Sequence, residues 1–165
     1  MKKQLVATFS VIVIPFLFAS CISTLLKETH PSFSKEISLT DPEKPFTKTD
    51  TSIFPSWKNT TTGNVISIIS DCAENTSYKL SNLHQLIESG LDDIKLLKEE
   101  SLTFQKKPAL SRIVHAYLDG QPIEIQSVSF KRKSCGYVVT LSGKINNLSF
   151  DRPQFEHFIN GFRFE

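Results

Sequence analysis

From Ala109 to Ser142 the chain runs through three segments of alternating or β-rich sequence, separated by short turn signals. That pattern commits this part of the chain to antiparallel strands more firmly than anything else in it. Ala109 to Leu118 puts Ile113, His115 and Tyr117 on one face and Leu110, Val114 and Leu118 on the other. Asp119-Gly120 marks a hairpin turn, because both positions tolerate positive φ. Ile123 to Arg132 is the returning strand, and Lys133-Ser134 turns again. Gly136 to Ser142 follows, with Tyr137, Val139 and Leu141 on one face. Upstream, Ile94 to Phe104 predicts a strand that ends in a Lys106-Lys107-Pro108 turn. Val65 to Ser70, after a Gly63-Asn64 turn, is a β-branched strand.

Two stretches carry helical spacing instead. Leu80, Leu83, Ile87 and Leu91 recur at three- and four-residue steps after Ser77, a candidate N-cap, and Gly90 ends the segment. Near the C-terminus, Asp151 stands as an N-cap with Pro153 in the first turn and Gln154 at the capping-box position. Phe155, Phe158, Ile159 and Phe162 form that helix's stripe. The predicted order is β-α-β-β-β-β-α, an α+β domain of antiparallel sheet with two packed helices over residues 52–165.

The beginning of the chain has a different character. Met1 to Gln4 is a short positive segment, and Leu5 to Ala19 is an apolar run. That run suits a signal peptide and is short of the roughly 20 residues a membrane span needs. Ala19-Ser20 then precede Cys21. This segment resembles the lipobox of bacterial lipoproteins, with Phe18 where Leu is usual. The resemblance implies removal of residues 1–20, acylation of Cys21 and a place on the cell envelope. Ile22 in place of Asp implies the outer membrane, facing the periplasm. The alternative is ordinary cleavage nearby, leaving Cys21 a free thiol. Ser23 to Thr51 has no period and carries Pro31, Pro42 and Pro45, so residues 21–51 are expected to be the lipidated N-terminus and a flexible tether. Such a chain reaches roughly 30 Å. Phe33 and Phe46 are isolated apolar residues in it, read either as solvated or as part of a partner-docking strand.

Of 19 basic residues two lie in the leader, leaving 17 against 17 acidic ones. A formally neutral mature chain has no electrostatic footprint for nucleic acid, and no net charge to hold it on lipid by charge alone. Acylation of Cys21 leaves Cys72 and Cys135 as a pair, and export favours a structural disulfide between them. Free thiols or a redox pair are the alternatives, the latter without Cys-x-x-Cys spacing.

No phosphate loop, dinucleotide fingerprint or nucleophile elbow occurs. His30, His84, His115 and His157 have no metal-ligand spacing. His84 and Glu88 are expected to form a solvated pair on one helix face, and His115 to be a half-buried packing residue. Glu99 and Glu100 face opposite ways in a strand. Lys131-Arg132-Lys133 is a basic tip, read as solubilising or as a contact for lipid headgroups or an acidic partner. Asn59, Asn75 and Asn147 begin Asn-x-Ser/Thr sequences, read as chance. No catalytic residue, metal or cofactor is assigned.

The order of softer motifs carries a second resemblance. Phe54-Pro55-Ser56-Trp57 opens the domain, Leu97 to Phe104 precedes Pro108-Ala109-Leu110, Asp119-Gly120 joins the hairpin, and Gly136 to Ser142 precedes the closing helix, Phe155 to Phe162. In this order the chain resembles PsbP-like domains, small α+β modules attached at membrane surfaces in phototrophs, and similar bacterial proteins. The resemblance implies the fold and an accessory role, and matches no metal-binding or partner-binding residue. The expected function is a membrane-anchored, non-enzymatic accessory or protein-binding module whose partners are membrane lipid, through Cys21, and another envelope protein. The alternative is a binder of a small apolar ligand between sheet and helices, beside Trp57 and Tyr137, although Trp57 at the domain edge is read first as a core anchor and second as a ligand-stacking residue. An enzyme with residues gathered from distant positions is a third reading.

Overall fold

The computed structural model describes residues 37–50, 54–72 and 79–164. The leader, Cys21, His30, Phe33, Asn75 and the Ser77 cap lie outside the described residues. The alternating segments build a seven-stranded antiparallel sheet of β2 (Phe46–Lys48), β3 (Ser56–Asn59), β4 (Val65–Asp71), β5 (Asp92–Phe104), β6 (Lys107–Leu118), β7 (Gln121–Arg132) and β8 (Cys135–Lys144). Their spatial order is β2-β3-β4-β8-β7-β6-β5. A separate short pair joins β1 (Ile37–Ser38) to β9 (Arg163–Phe164).

The pleat sorts the side chains by face. Trp57 lies opposite Ile66, Ile66 opposite Leu141, Ile68 opposite Val139, and Phe130 opposite Tyr137, so these residues share one face. Helix α3 (Arg152–Asn160) and the turn after it cover that face with Phe155, Phe158, Ile159 and Phe162, all buried in a single cluster. Phe130 stacks on Tyr137 with centroids 5.3 Å apart, and Trp57 meets Phe158 edge-on at 5.1 Å. Such pairs add about 0.5–1.5 kcal/mol each beyond their area. Arg132 closes one end of the cluster, its guanidinium 4.8 Å from the centroid of Phe164 and 5.5 Å from that of Phe104.

The opposite face carries Val114, Ala116, Ile125 and Val138, buried with Leu83 of α1 (Leu80–Leu83). One continuous helix was expected here. The segment is instead two single turns, α1 and α2 (Gln85–Glu88), with His84 between them. His84 is buried, its Nδ1 lying 3.0 Å from Ser127 Oγ. His84 keeps right-handed helical φ and ψ at the junction, so the two turns continue in the same direction although the hydrogen-bonded helix is interrupted there.

The tether expectation changes at its C-terminal half. Ile37 and Phe46 are 7% and 4% exposed, paired through β1 and β2 with Phe164 and Asn59. Burying each such side chain contributes roughly 1.5–3 kcal/mol, which together with the ladder pairing works against the entropy of ordering two very short strands. The folded part therefore includes residues 37–50 and is not confined to 52–165.

The Asp151 cap changes as well. Asp151 precedes α3 but its side chain makes no capping bond. Its carboxylate instead accepts from Asn59 Nδ2 at 2.7 Å, Thr62 Oγ1 at 2.6 Å and Asn64 Nδ2 at 2.7 Å. Buried donors that water cannot reach win over helix N–H groups that it can. Gln154 donates to the Lys44 carbonyl at 3.1 Å and closes no capping box. Asn59 and Asn147, both read as chance sequons, spend their side chains here, Asn147 Nδ2 donating to the Thr62 carbonyl at 2.9 Å. The β5–β6 turn is Gln105-Lys106, with Lys107 and Pro108 already in β6. Cys72, just past β4, is bonded to Cys135 at the start of β8.

Candidate functional site

Trp57 and Tyr137 do not line a ligand pocket: they are 2% and 0% exposed and belong to the aromatic core. Their side chains fill the space between sheet and α3 that a ligand would need. Trp57 Nε1 is buried without a hydrogen-bond partner among the described residues.

The open space between α3 and the sheet lies further along, over β5, β6 and β7. This cleft holds about 390 Å³. Leu102, Ile113, Val128 and Ile159 contribute apolar surface, and Lys98, Arg112, Arg152 and Glu156 contribute charge. Gln126 Oε1 and Arg152 Nε, both on residues lining it, are buried with no partner among the described residues. Arg152 also reaches Glu124 at 3.3 Å, and Glu124 lies 3.4 Å from His115 Nε2. A second groove, of about 570 Å³, lies between residues 40–43 and α3.

On the other face, His84 faces Ser127, and nearby Arg112 bridges Glu88 at 3.1 Å and Glu99. The expected His84–Glu88 surface pair is not formed, because His84 turns inward while Glu88 takes Arg112. Burial first, and the Arg112 charge second, push the His84 pKa down to about 4. The ring is therefore neutral at physiological pH. A serine beside a neutral imidazole is the start of a nucleophile pair. Both residues are closed off in the packed layer under α1, at 2% and 0% exposure, and line neither cavity described above. Among the described residues no group of three or more His, Cys, Asp or Glu is placed to hold a metal ion. No helix among them is long and apolar enough to cross a membrane.

The surface feature that packing leaves unexplained is at the far end of β5. Its first ten residues, Asp92–Ser101, are all exposed, and it is an edge strand with no neighbour on its outer side among the described residues. Ile94, Leu96 and Leu97 are 40%, 52% and 46% exposed. Tyr117, opposite Asp92, and Leu118, at the end of β6, are 43% and 45% exposed, and Leu86 of α2 is also open. Two register shifts, between Asp92 and Lys95 and between Leu96 and Lys98, fall among these apolar residues. Bulges there break the backbone template for strand addition and re-aim the side chains outward. Periodicity could not find this surface, because an exposed edge strand reads in sequence like a half-buried one.

No family model and no curated protein matches the chain. Solved structures do. A protein of unknown function from Pseudomonas aeruginosa aligns with a TM-score of 0.51 and 15% identity, over 75% of this chain and 84% of that one. Cyanobacterial PsbP (CyanoP) from Synechocystis aligns at 0.51 with 7% identity, over 81% of this chain and 84% of that one. The domain has a PsbP-like fold. LpqN of Mycobacterium tuberculosis, described as involved in cell envelope biogenesis, aligns at 0.49 with 10% identity, over 75% of this chain and 79% of that one. At these identities what the PsbP-like domain shares with its neighbours is architecture, an antiparallel sheet with short helices packed on it.

Proposed function

We propose that the PsbP-like domain is a non-enzymatic accessory module, anchored to the cell envelope through acylated Cys21, that binds another envelope protein. The observation that carries the binding role is the run of exposed apolar side chains where β5 begins and β6 ends: Ile94, Leu96 and Leu97 on the edge strand, with Leu118 on the face that α1 covers and Tyr117 on the opposite face. Soluble domains rarely leave several such side chains exposed along one sheet edge without a partner. Charged Asp92, Asp93, Lys95 and Lys98 surround them, the arrangement of a polar rim around an apolar centre. The anchor rests on the leader and on Cys21 itself, and two acyl chains on one residue hold far more firmly than one.

The test is crosslinking in native membranes followed by purification, comparing the natural chain with Leu96→Glu and Leu97→Glu. A defined crosslinked protein that disappears with both substitutions supports the reading. A partner captured equally by both would refute the surface. Cys21→Ala should release the protein without detergent, and unchanged retention would refute the anchor.

A second reading keeps a ligand. The two unpartnered buried polar atoms, Gln126 Oε1 and Arg152 Nε, favour the 390 Å³ cleft as its place. With charge above an apolar floor, the cleft fits a small amphiphile better than the purely apolar ligand expected beside Trp57 and Tyr137. Co-purified lipid or metabolite, released on denaturation and absent from Gln126→Leu, would distinguish this reading from the first.

A further inference from the structure

The chain is formally neutral beyond its leader, yet the fold separates its charge along the strands. At the end where β5 turns into β6 and β7 into β8, the described residues are 37–38, 70–72, 102–109, 130–136 and 162–164. Their basic side chains are Lys106, Lys107, Lys131, Arg132, Lys133 and Arg163, and the acidic one is Asp71. At the other end the charges are closer to balance, with Asp92, Asp93, Asp119, Glu124 and Asp151 against Lys58, Lys95 and Lys144. Lys106, Lys107, Lys133 and Arg163 are exposed.

The folded part also begins at the basic end. Ile37 pairs with Phe164, whose ring lies 5.8 Å from that of Phe130 and 6.4 Å from that of Phe104. Gln105 Nε2, in the β5–β6 turn, donates to the Phe162 carbonyl at 2.8 Å, which ties that turn to the same corner. Sixteen residue steps separate Cys21 from Ile37, the first residue paired at this end.

Turn chemistry points the same way. At the far end the positive-φ positions are Gly63, Asp93, Asp119, Gly120 and Asn146, residue types that adopt this conformation easily. At the basic end they are Gln105, Lys106 and Lys133, with φ of 47°, 64° and 48°. Backbone strain at long, flexible side chains is tolerated at this end alone, and two of the three carry positive charge.

We infer that this basic end is a membrane-facing surface, which lays the β5–β6 and β7–β8 turns on anionic phospholipid headgroups while Cys21 holds the chain in the bilayer. The inference rests on the anchor reading and adds an orientation to it. A short tether supplies the high local concentration, and the lysines supply the second, electrostatic signal.

The experiment uses the mature protein extracted from native membranes, with its N-terminal mass measured first. It is reconstituted into vesicles of phosphatidylcholine alone or with about one third phosphatidylglycerol, and exposed lysines are acylated with a reagent that does not cross the bilayer. Peptide mass spectrometry reads each site. Labelling of Lys106, Lys107 and Lys131 is expected to fall roughly fivefold in the anionic vesicles and to recover at about 0.5 M salt, where the Debye length is only a few ångströms. Lys95 and Lys144 should not change. Equal labelling in both vesicles, or protection spread equally over all five sites, overturns the orientation. A Cys21 without acyl groups overturns the anchor instead, and the same vesicles added to the unacylated protein then read the lysines independently.

Discussion

His84 makes stability depend on pH in a direction fixed by its surroundings. Burial beneath α1, reinforced by the Arg112 charge, lowers its pKa from 6.5 to about 4 in the folded protein. The unfolded chain then binds a proton below about pH 6.5 that the folded one refuses until about pH 4, so acid favours unfolding. The stabilising neutral ring is fully effective above 6.5, and its contribution is lost as pH falls between the two values. At 1.36 kcal/mol per unit the full loss is about 3 kcal/mol, of which about 2 kcal/mol has gone by pH 5. Urea unfolding of the mature protein at pH 7.5, 6, 5 and 4.5 measures it, with His84→Leu as the reference. The difference between the two curves isolates the one imidazole from every carboxylate that titrates in the same range. Ring proton shifts read the group directly and should give a midpoint near 4. A midpoint near 6.5, or parallel stability curves for the two proteins, would refute the burial argument.

Three further outcomes follow from the packing. Asp151→Ala removes the acceptor of three short hydrogen bonds, costing buried Asn59 Nδ2 its Asp151 acceptor and leaving Asn64 Nδ2 only its bond to the Asn147 carbonyl, so unfolding free energy should drop by about 3–5 kcal/mol in urea titration. Gly143→Ala would place a Cβ 1.9 Å from Asn64 Oδ1 and 2.8 Å from its Cγ, and because Asn64 is itself held by Asp151 the substitution should cost about 2–3 kcal/mol by the same measurement. Reducing Cys72–Cys135, 63 residues apart, should lower stability by about 4 kcal/mol if chain entropy dominates, read from the denaturation midpoint with and without reductant.

The meander from β6 to β8 was legible because turn residues bound each strand and β-branched and aromatic residues fill it, although β8 is buried on both faces from Cys135 to Leu141 and shows no alternation of burial. Helix α3 was legible because Phe155, Phe158, Ile159 and Phe162 fall on one face and all are buried. β1 and β2 were not legible. Two and three residues long, they have no period, and their burial depends on partners more than a hundred residues away for Ile37 and thirteen for Phe46. Asp151 misled through an ambiguity of chemistry, since one carboxylate before a helix suits a cap and a buried amide cluster equally well. Its partners lie 87 to 92 residues earlier in the chain. Trp57 reads from the sequence as a core anchor or as a ligand-stacking residue, and it is buried in the core together with Tyr137, because a large aromatic ring suits either place and only its long-range neighbours decide.

The geometry links the two proposed surfaces through one rigid element. β6 runs for 12 residues between the Gln105-Lys106 turn and Leu118, a length of roughly 40 Å. With the basic turns at the headgroups and the strands upright, Leu96, opposite Val114, and Tyr117 stand roughly 25 Å and 35 Å above the lipid, and β6 has no register break between the two ends. β6 pairs with β7 without interruption from Ala109 to Leu118, so its register is continuous along this distance, whereas β5 bulges only where its apolar side chains are presented. A partner bound at the far end would therefore meet the domain at a fixed height. Lengthening the segment between Cys21 and Ile37 would leave that height unchanged as long as the lysines hold the lower end down. If the acyl anchor alone set the position, the same insertion would raise the surface and loosen its engagement. Orientation by charge and tethering by lipid thus make opposite demands on one short stretch of chain, and crosslinking to the partner as a function of insertion length separates them.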